Sequence, residues 1–273
     1  MIDRALAGAA ARLAAVSDTP RLDAELLLAH ALGVTREALL LRAAGERAVP
    51  DGFEALVARR LAAEPIAYIL GSKAFWTIEL RVTPDVLIPR PDSETLIDAA
   101  VAHFGRREPS RVIDLGTGSG ALLLAALDQW PGAQGVGIDR SPAALAVAAG
   151  TAARLGMAAR ALFLVGDWAE GVAGPFDLLL CNPPYIEAGA QLPEAVARHE
   201  PHGALFAGVD GLDDYRRIAP MLPRLIAPGG MAAIEIGATQ RAAVTALIAA
   251  QALEVRCMAD LAGRDRCLVV TAR

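Results

Sequence analysis

The sequence predicts an α/β protein with a doubly wound, mostly parallel sheet of seven strands, an N-terminal helical bundle and a β-hairpin linker. From residue 112 onward, short apolar runs alternate with segments of helical period, the mark of repeated strand–helix units. Residues 1–72 show helical spacing, no strand alternation and no glycine-rich loop. Between these regions lies an alternating run followed by prolines, which a central strand excludes. The expected domains are therefore a helical bundle at 1–72, a hairpin linker at 73–92 and a sheet domain at 93–273.

Thr19 and Pro20 open the first clear helix, with Thr as N-cap and Pro in the first turn. Leu22, Leu26, Ala29 and His30 follow at helical spacing, and Gly33 ends the run. His30 on that face reads as a packed core residue. Thr35 caps a short helix through Leu41, and Pro50-Asp51 starts another that runs to about Ala63. Residues 75–82 alternate as a strand, and Ser93 caps a helix over 94–104. Strands are then expected at 112–115, 135–139, 161–165, 176–181, 231–236, 254–258 and 267–271. Helices fill 121–127, 142–155 and 239–250, with a long helix-rich insertion after the fourth strand.

Composition bounds the function. At 54% hydrophobic and 21% charged the chain is globular. No apolar stretch reaches the roughly 18–20 residues that span a bilayer, and the N-terminus Met1-Ile2-Asp3-Arg4 lacks the layout of a secretory signal. A cytoplasmic protein with no membrane partner is expected. Cys181, Cys257 and Cys267 have no CxxC spacing, and the four histidines are scattered, so buried thiols and no metal site are expected. Net charge is −5, whereas nucleic-acid binding favours a basic excess. Stable nucleic-acid binding is not expected, although the basic residues are nearly all Arg, with Lys73 the lone lysine.

The chemistry gathers where strands end. Asp114-Leu115-Gly116-Thr117-Gly118-Ser119-Gly120 turns the first strand of the sheet into a helix. Glycines there let the backbone approach a ligand and aim helix N-terminal amides at it. The spacing is G-x-G-x-G after an acid, not the G-x-G-x-x-G of a dinucleotide site, and it suits S-adenosylmethionine, whose amino-acid end carries no pyrophosphate. Asp139, at the end of the next strand, is placed to accept both ribose hydroxyls. Asp167 can read the adenine amino group and Trp168 can cover the purine. Gly116, Thr117, Gly118, Ser119, Gly120, Asp139, Asp167, Trp168 and Asn182 are the expected cofactor residues.

Asn182-Pro183-Pro184-Tyr185 follows the apolar strand 176–181. Two prolines fix the backbone and supply no N–H donors, so the stretch offers acceptors: carbonyls and the Asn side-chain oxygen. Those bind an –NH2 group, and Tyr185 adds a flat face for a planar one. Asn182, Pro183 and Tyr185 are the candidate catalytic residues, and all four residues are candidate substrate contacts. Read alone, the tetrapeptide is also a plain turn, and it does not separate a glutamine side chain from an adenine amino group. His199 and His202 read as packing or surface residues. Glu235 reads as closing a polar contact beneath the site, and Arg90 as binding a carboxylate or pairing with a neighbouring acid.

Over nearly its full length the chain resembles the peptide chain release factor glutamine methyltransferases, a branch of the class I, Rossmann-like methyltransferases. The resemblance runs through Leu22-Asp23-Ala24-Glu25-Leu26-Leu27-Leu28-Ala29-His30, Tyr68-Ile69-Leu70-Gly71 and Phe75-Trp76. It continues in Val86-Leu87-Ile88-Pro89-Arg90-Pro91-Asp92-Ser93-Glu94, the tetrapeptide with Ile186, Glu200-Pro201, Asp210-Gly211-Leu212 and Tyr215-Arg216. It closes with Pro228-Gly229-Gly230, Glu235-Ile236-Gly237 and Asp260-Leu261-Ala262-Gly263-Arg264-Asp265-Arg266. It implies methyl transfer from S-adenosylmethionine, leaving S-adenosylhomocysteine, to the glutamine amide in the Gly-Gly-Gln motif of bacterial release factors, which become the expected partners. The helical bundle is then expected to grip the protein substrate. Ala67, His199 and Ala207 depart from the family pattern, where Gln, Tyr and Gly are usual. A ribosomal-protein glutamine methyltransferase, an adenine-amino DNA methyltransferase and a catalytically idle binding module remain the alternative readings.

Overall fold

The computed structural model describes residues 1–41 and 48–273, and the chain forms two compact units. The first is Met1–Ser72 with Leu192–His199; the second is Lys73–Gln191 with Glu200–Arg273.

In the first unit, α1 (Ile2–Leu13), α2 (Pro20–Leu32), α3 (Arg36–Leu40), α4 (Gly52–Leu61) and α5 (Ile66–Leu70) enclose a core of Leu6, Leu13, Leu27, Leu28, Phe53, Val57 and Ile69. Of the expected face of α2, only Ala29 is buried. Ala24, Leu27 and Leu28 are fully buried, whereas Leu22 and His30 are exposed and Leu26 is half-buried. The stripe misled because α2 also buries two acids, Asp23 and Glu25, each satisfied by arginine. Arg60 Nε donates to Asp23 at 2.7 Å, and Arg21 and Arg36 hold Glu25 at 2.7 and 2.9 Å. With acids inside, apolar spacing no longer marks the face. Thr19 occupies the N-cap position of α2 but its side chain makes no capping bond, whereas Thr35 Oγ1 accepts from Ala38 N at 3.1 Å. Gly33 ends α2 at φ +64°, the left-handed conformation glycine permits.

The second unit opens on a hairpin, β1 (Ser72–Phe75) and β2 (Ile78–Arg81). The single strand expected over 75–82 is broken at Trp76, whose φ of +54° makes the turn. Phe75, Ile78 and Leu80 then join the core. Helix α6 (Glu94–Phe104) follows, with Ser93 at its N-cap position but without a side-chain cap bond. The sheet comes next: β3 (Arg111–Leu115), α7 (Ala121–Gln129), β4 (Gln134–Asp139), α8 (Pro142–Arg154), β5 (Ala161–Val165) and β6 (Phe176–Cys181). After α9 (Glu194–His199), which belongs to the first unit, come α10 (Asp213–Ile218), α11 (Leu222–Leu225), β7 (Ile226–Glu235), α12 (Arg241–Ala249), β8 (Leu253–Ala259) and β9 (Asp265–Ala272).

Strand order in the seven-stranded sheet is β5-β4-β3-β6-β7-β9-β8, parallel except for β9, which runs antiparallel to both neighbours. One apolar layer gathers residues of α6, α7 and the hairpin, and the other those of α10, α11 and α12. The order reverses between β3 and β6, which makes the carboxyl ends of those strands a topological switch point. Register brings the strand ends into line. Leu115 lies opposite both Ile138 and Cys181, Asp139 opposite Val165, and Cys181 opposite Ile234. Gly116, Asp139, Gly166, Asn182 and Glu235 therefore leave the sheet at one edge.

Candidate active site

Asp114, at the end of β3, is 1% exposed and anchors the glycine loop. Thr117 Oγ1 donates to Asp114 Oδ2 at 2.6 Å, and Leu123 N donates to the same oxygen at 3.3 Å. Burial is the largest influence on this acid and pushes its pKa up to about 7. Gly116 N and Thr117 N both bond Ile138 O at 2.9 Å, which folds the loop over β4. The glycines divide the labour. A side chain at Gly120 would meet Leu124 and Ala148 at 3.1 and 3.2 Å, so that glycine lets α7 pack. At Gly118, with φ of +54°, a Cβ would meet nothing within 4 Å. That glycine faces open space in the cleft.

Gly116, Gly118, Asp139, Asp167, Trp168, Asn182 and Pro184 all line this cleft. Thr117 and Ser119 are buried and hold the loop from beneath. Asp139 Oδ2 accepts from Gly118 N and Oδ1 from Ser141 N, both at 2.9 Å. Each carboxylate oxygen keeps a lone pair for a hydroxyl of a ligand. Asp167 is exposed and pairs with Arg217 at 2.6 Å. Trp168 is half-buried, its ring 3.2 Å from where a Gly116 Cβ would stand, and the half-buried Asp214 lines the same cleft. Burial raises the Asp214 pKa, with Trp168 pulling the other way.

Part of the wall carries no local sequence signature: Asp85, Val86 and Leu87 after the hairpin, Pro201, Gly203 and Ala204 in the insertion, and Asp214 on α10. A glycine-floored cleft with an unfilled cradle at Gly118, a two-oxygen acceptor at Asp139 and an aromatic wall at Trp168 fits a nucleoside ligand with a charged, flexible end. S-adenosylmethionine is such a ligand.

Two residues of the tetrapeptide, Asn182 and Pro184, line the same cleft; Pro183 and Tyr185 do not. Asn182, the one asparagine in the chain, donates its Nδ2–H to Ser93 Oγ at 3.2 Å, which leaves Oδ1 as the acceptor. Pro183 is buried, while Pro184 stands on the cleft wall. Tyr185 is half-buried, and its hydroxyl donates to Glu235 Oε1 at 3.4 Å. Its carbonyl accepts from Gln240 Nε2 at 3.0 Å. Burial, then the nearby Glu235 carboxylate, pushes the Tyr185 phenol up to about 12, so it remains a donor. Glu235 is 1% exposed, and burial lifts it from 4.5 to about 7.

Ser93, expected as a helix cap, instead serves Asn182. The expected polar contact of Glu235 is with Tyr185. Of the alternatives open for Arg90, the structure shows the acid pair: Arg90 Nη2 lies 2.6 Å from Glu200 Oε1, and Ile88 N donates to Glu200 Oε2 at 3.2 Å. His199 is half-buried in the first unit, and His202 is exposed with its ring edge-on to Phe206. Cys181 and Cys267 are buried and Cys257 half-buried. Among the described residues no group of His, Cys, Asp and Glu could hold a metal ion, and no helix is long and apolar enough to cross a membrane.

Residues 4–71 match the family model described as the PrmC N-terminal domain, and residues 107–255 match a methyltransferase domain. The chain is 46% identical over 265 residues to the release factor glutamine methyltransferase of Rhodospirillum rubrum, covering 94% of this chain and 80% of that protein. It is 41% identical over 278 residues to the enzyme of the same name from Moorella thermoacetica, covering 99% and 98%. A solved methyltransferase from Pyrococcus furiosus superposes with a TM-score of 0.54 at 17% identity, over 78% of this chain and 95% of that one. A 16S rRNA methyltransferase of T. thermophilus, solved with AdoMet and guanosine, gives a TM-score of 0.53 at 20% identity, over 74% and 50%. At these identities the structural likenesses speak for the fold.

Proposed function

The chain belongs to the release factor glutamine methyltransferases, and from that membership we propose that it moves a methyl group from S-adenosylmethionine to the side-chain amide nitrogen of the Gln in the Gly-Gly-Gln motif of release factors. The observation that carries this reading is the Asn182 amide. Its Nδ2 donates one N–H to Ser93, which sets the orientation of the amide and leaves its oxygen to accept an N–H.

S-adenosylmethionine, when bound, supplies an electrophilic methyl group on a sulfonium. The protein's part is to hold the acceptor. An amide nitrogen is a poor nucleophile because its lone pair is delocalised into the carbonyl. The Asn182 oxygen and the Pro183 carbonyl accept its two N–H bonds, which orients the nitrogen and favours the positive charge that grows on it. Preorganised acceptors of this kind often contribute most to catalysis, and orientation can contribute about 7–11 kcal/mol more. Tyr185 packs against the flat amide. At the other end Asp139 would hold the ribose hydroxyls, Trp168 would cover the base and Asp167 would meet its amino group, while Gly116 and Gly118 would leave room for the amino-acid end. Thr117, Ser119 and Gly120 hold the loop in that shape. The helical unit, residues 1–72, grips the protein substrate, and the work is cytoplasmic.

Incubation with labelled S-adenosylmethionine and, separately, release factor, ribosomal proteins and DNA tests this reading. Label on release factor is the expected result. Label on ribosomal proteins or DNA, with none on release factor, contradicts it.

A further inference from the structure

Beneath the tetrapeptide lies one buried acid, which bonds its Tyr185 end. Parallel pairing sets Cys181 opposite Ile234, so Asn182 and Glu235 leave adjacent strands side by side. Glu235 Oε1 accepts the Tyr185 hydroxyl at 3.4 Å, while Oε2 is buried with no donor at bonding distance. The Ser93 hydroxyl is close enough to draw the Glu235 pKa down. Ser93 Oγ already accepts the Asn182 Nδ2–H at 3.2 Å. Its own proton is therefore free to point elsewhere, and the unpaired Glu235 Oε2, on the strand next to Asn182, is an open acceptor.

We propose that Glu235 is a positioning residue for methyl transfer: through Ser93 it fixes which face of the Asn182 amide meets the acceptor, and through Tyr185 it fixes the aromatic wall. The proposal rests on the reading of Asn182 as the acceptor-binding amide. An Asn side chain is nearly symmetric in shape, so only its partners decide where the oxygen points. A carboxylate can only accept. It forces the Ser93 hydroxyl to donate towards it, Ser93 Oγ to receive Nδ2–H, and the Asn182 oxygen to face the other way.

A simple ion-pair role for Glu235 does not account for the arrangement. Arg266, the cation that acts on Glu235, turns its Nη groups to Asp92 and Asp260 at 3.3 Å each and to Ile236 O at 3.2 Å, and its buried Nε makes no hydrogen bond to Glu235. The other groups facing Glu235 are the Tyr185 and Tyr215 phenols, the Cys181 and Cys267 thiols and the Asp92 carboxylate. Burial pushes each of the phenols and thiols upward, so none of them ionises around neutral pH. Glu235 itself titrates at about 7, chiefly through burial. Transfer therefore gains from ionising it.

The test measures kcat and KM on purified release factor on both sides of neutral pH, with calorimetry of S-adenosylmethionine alongside. Glu235→Gln keeps the shape but adds a donor, which turns the Ser93 hydroxyl towards Asn182. It is expected to lower kcat about tenfold or more with unchanged S-adenosylmethionine affinity. The wild-type rise of kcat through about pH 7 is expected to vanish in that variant. Ser93→Ala is expected to match it and Ser93→Thr, which keeps the hydroxyl, to restore transfer. A Glu235→Gln enzyme with wild-type kcat and the same pH profile overturns the proposal. So does a Ser93→Ala enzyme as fast as wild type, whatever the fold of the Glu235 variant. Asn182→Ala separates the two levels: if it remains fully active the functional reading itself falls, and if it is dead while Glu235→Gln is normal only the positioning role falls.

Discussion

At the glycine-loop end of the cleft, the contacts that shape the site join near neighbours. Asp114 and Thr117 are three positions apart, and Gly118 and Asp139 are 21 apart. At the tetrapeptide end the partners are distant: 89 positions separate Asn182 from Ser93, 50 separate Tyr185 from Glu235, and 110 separate Arg90 from Glu200. The glycine loop and Asp139 are built from one strand–turn–helix unit and its neighbour. The end that selects an acceptor is assembled from several crossovers. A change at the first end should damage cofactor binding, and a change at the second should damage transfer while sparing it.

The largest expected effect is at Asn182. Asn182→Ala should lower kcat by about 10²–10³-fold, the range for losing a preorganised polar group at the reacting centre. Calorimetry should show little change in S-adenosylmethionine affinity. The opposite pattern is expected at Gly118, where φ is +54° and a Cβ enters the cleft. Gly118→Val should weaken S-adenosylmethionine binding about tenfold or more, through backbone strain and filled space. If both variants lose both properties equally, the division between the two ends is wrong.

One property is shared. Asp114 and Glu235 are both buried acids lifted to about 7, from 3.8 and 4.5. Between their unfolded and folded pKa values the native state binds more protons than the unfolded one, so stability falls as pH rises from about 4 to about 7. Each group contributes on the order of 3–4 kcal/mol to that fall. Thermal melts should show a midpoint several degrees lower at pH 8 than at pH 5. Asp114→Asn and Glu235→Gln should each flatten the profile. Transfer should rise over the same window in which stability falls, because the positioning role of Glu235 needs the carboxylate.

The smallest effect lies in the helical unit. Thr35→Ala should cost about 1 kcal/mol of stability, since Thr35 caps α3 through its side chain. Thr19→Ala, at a helix start with no capping bond, should stay within about 0.5 kcal/mol. Neither should change kcat, and chemical denaturation with a transfer assay checks both.

The same contrast explains what the sequence disclosed. The glycine spacing, Asp139 and the tetrapeptide were legible because each is a local pattern with a local physical reason. The sheet was legible because β3 to β6 are short apolar runs between helices. The buried face of α2 was not, because Asp23 and Glu25 go inside with arginines that lie up to 37 positions away. The hairpin break at Trp76 depends on a positive φ that a Trp does not advertise. Ser93 precedes a helix and so resembled a cap, while its partner is the Asn182 amide. Asp214 stands in a run of charges on α10 that spacing alone marks as surface.

The most direct measurement is fragmentation mass spectrometry of release factor after incubation with the enzyme and S-adenosylmethionine. One methyl group on the side-chain nitrogen of the Gly-Gly-Gln glutamine, dependent on Asn182, is the predicted result. A methyl group on another residue, or on that glutamine whether or not Asn182 is present, would contradict it.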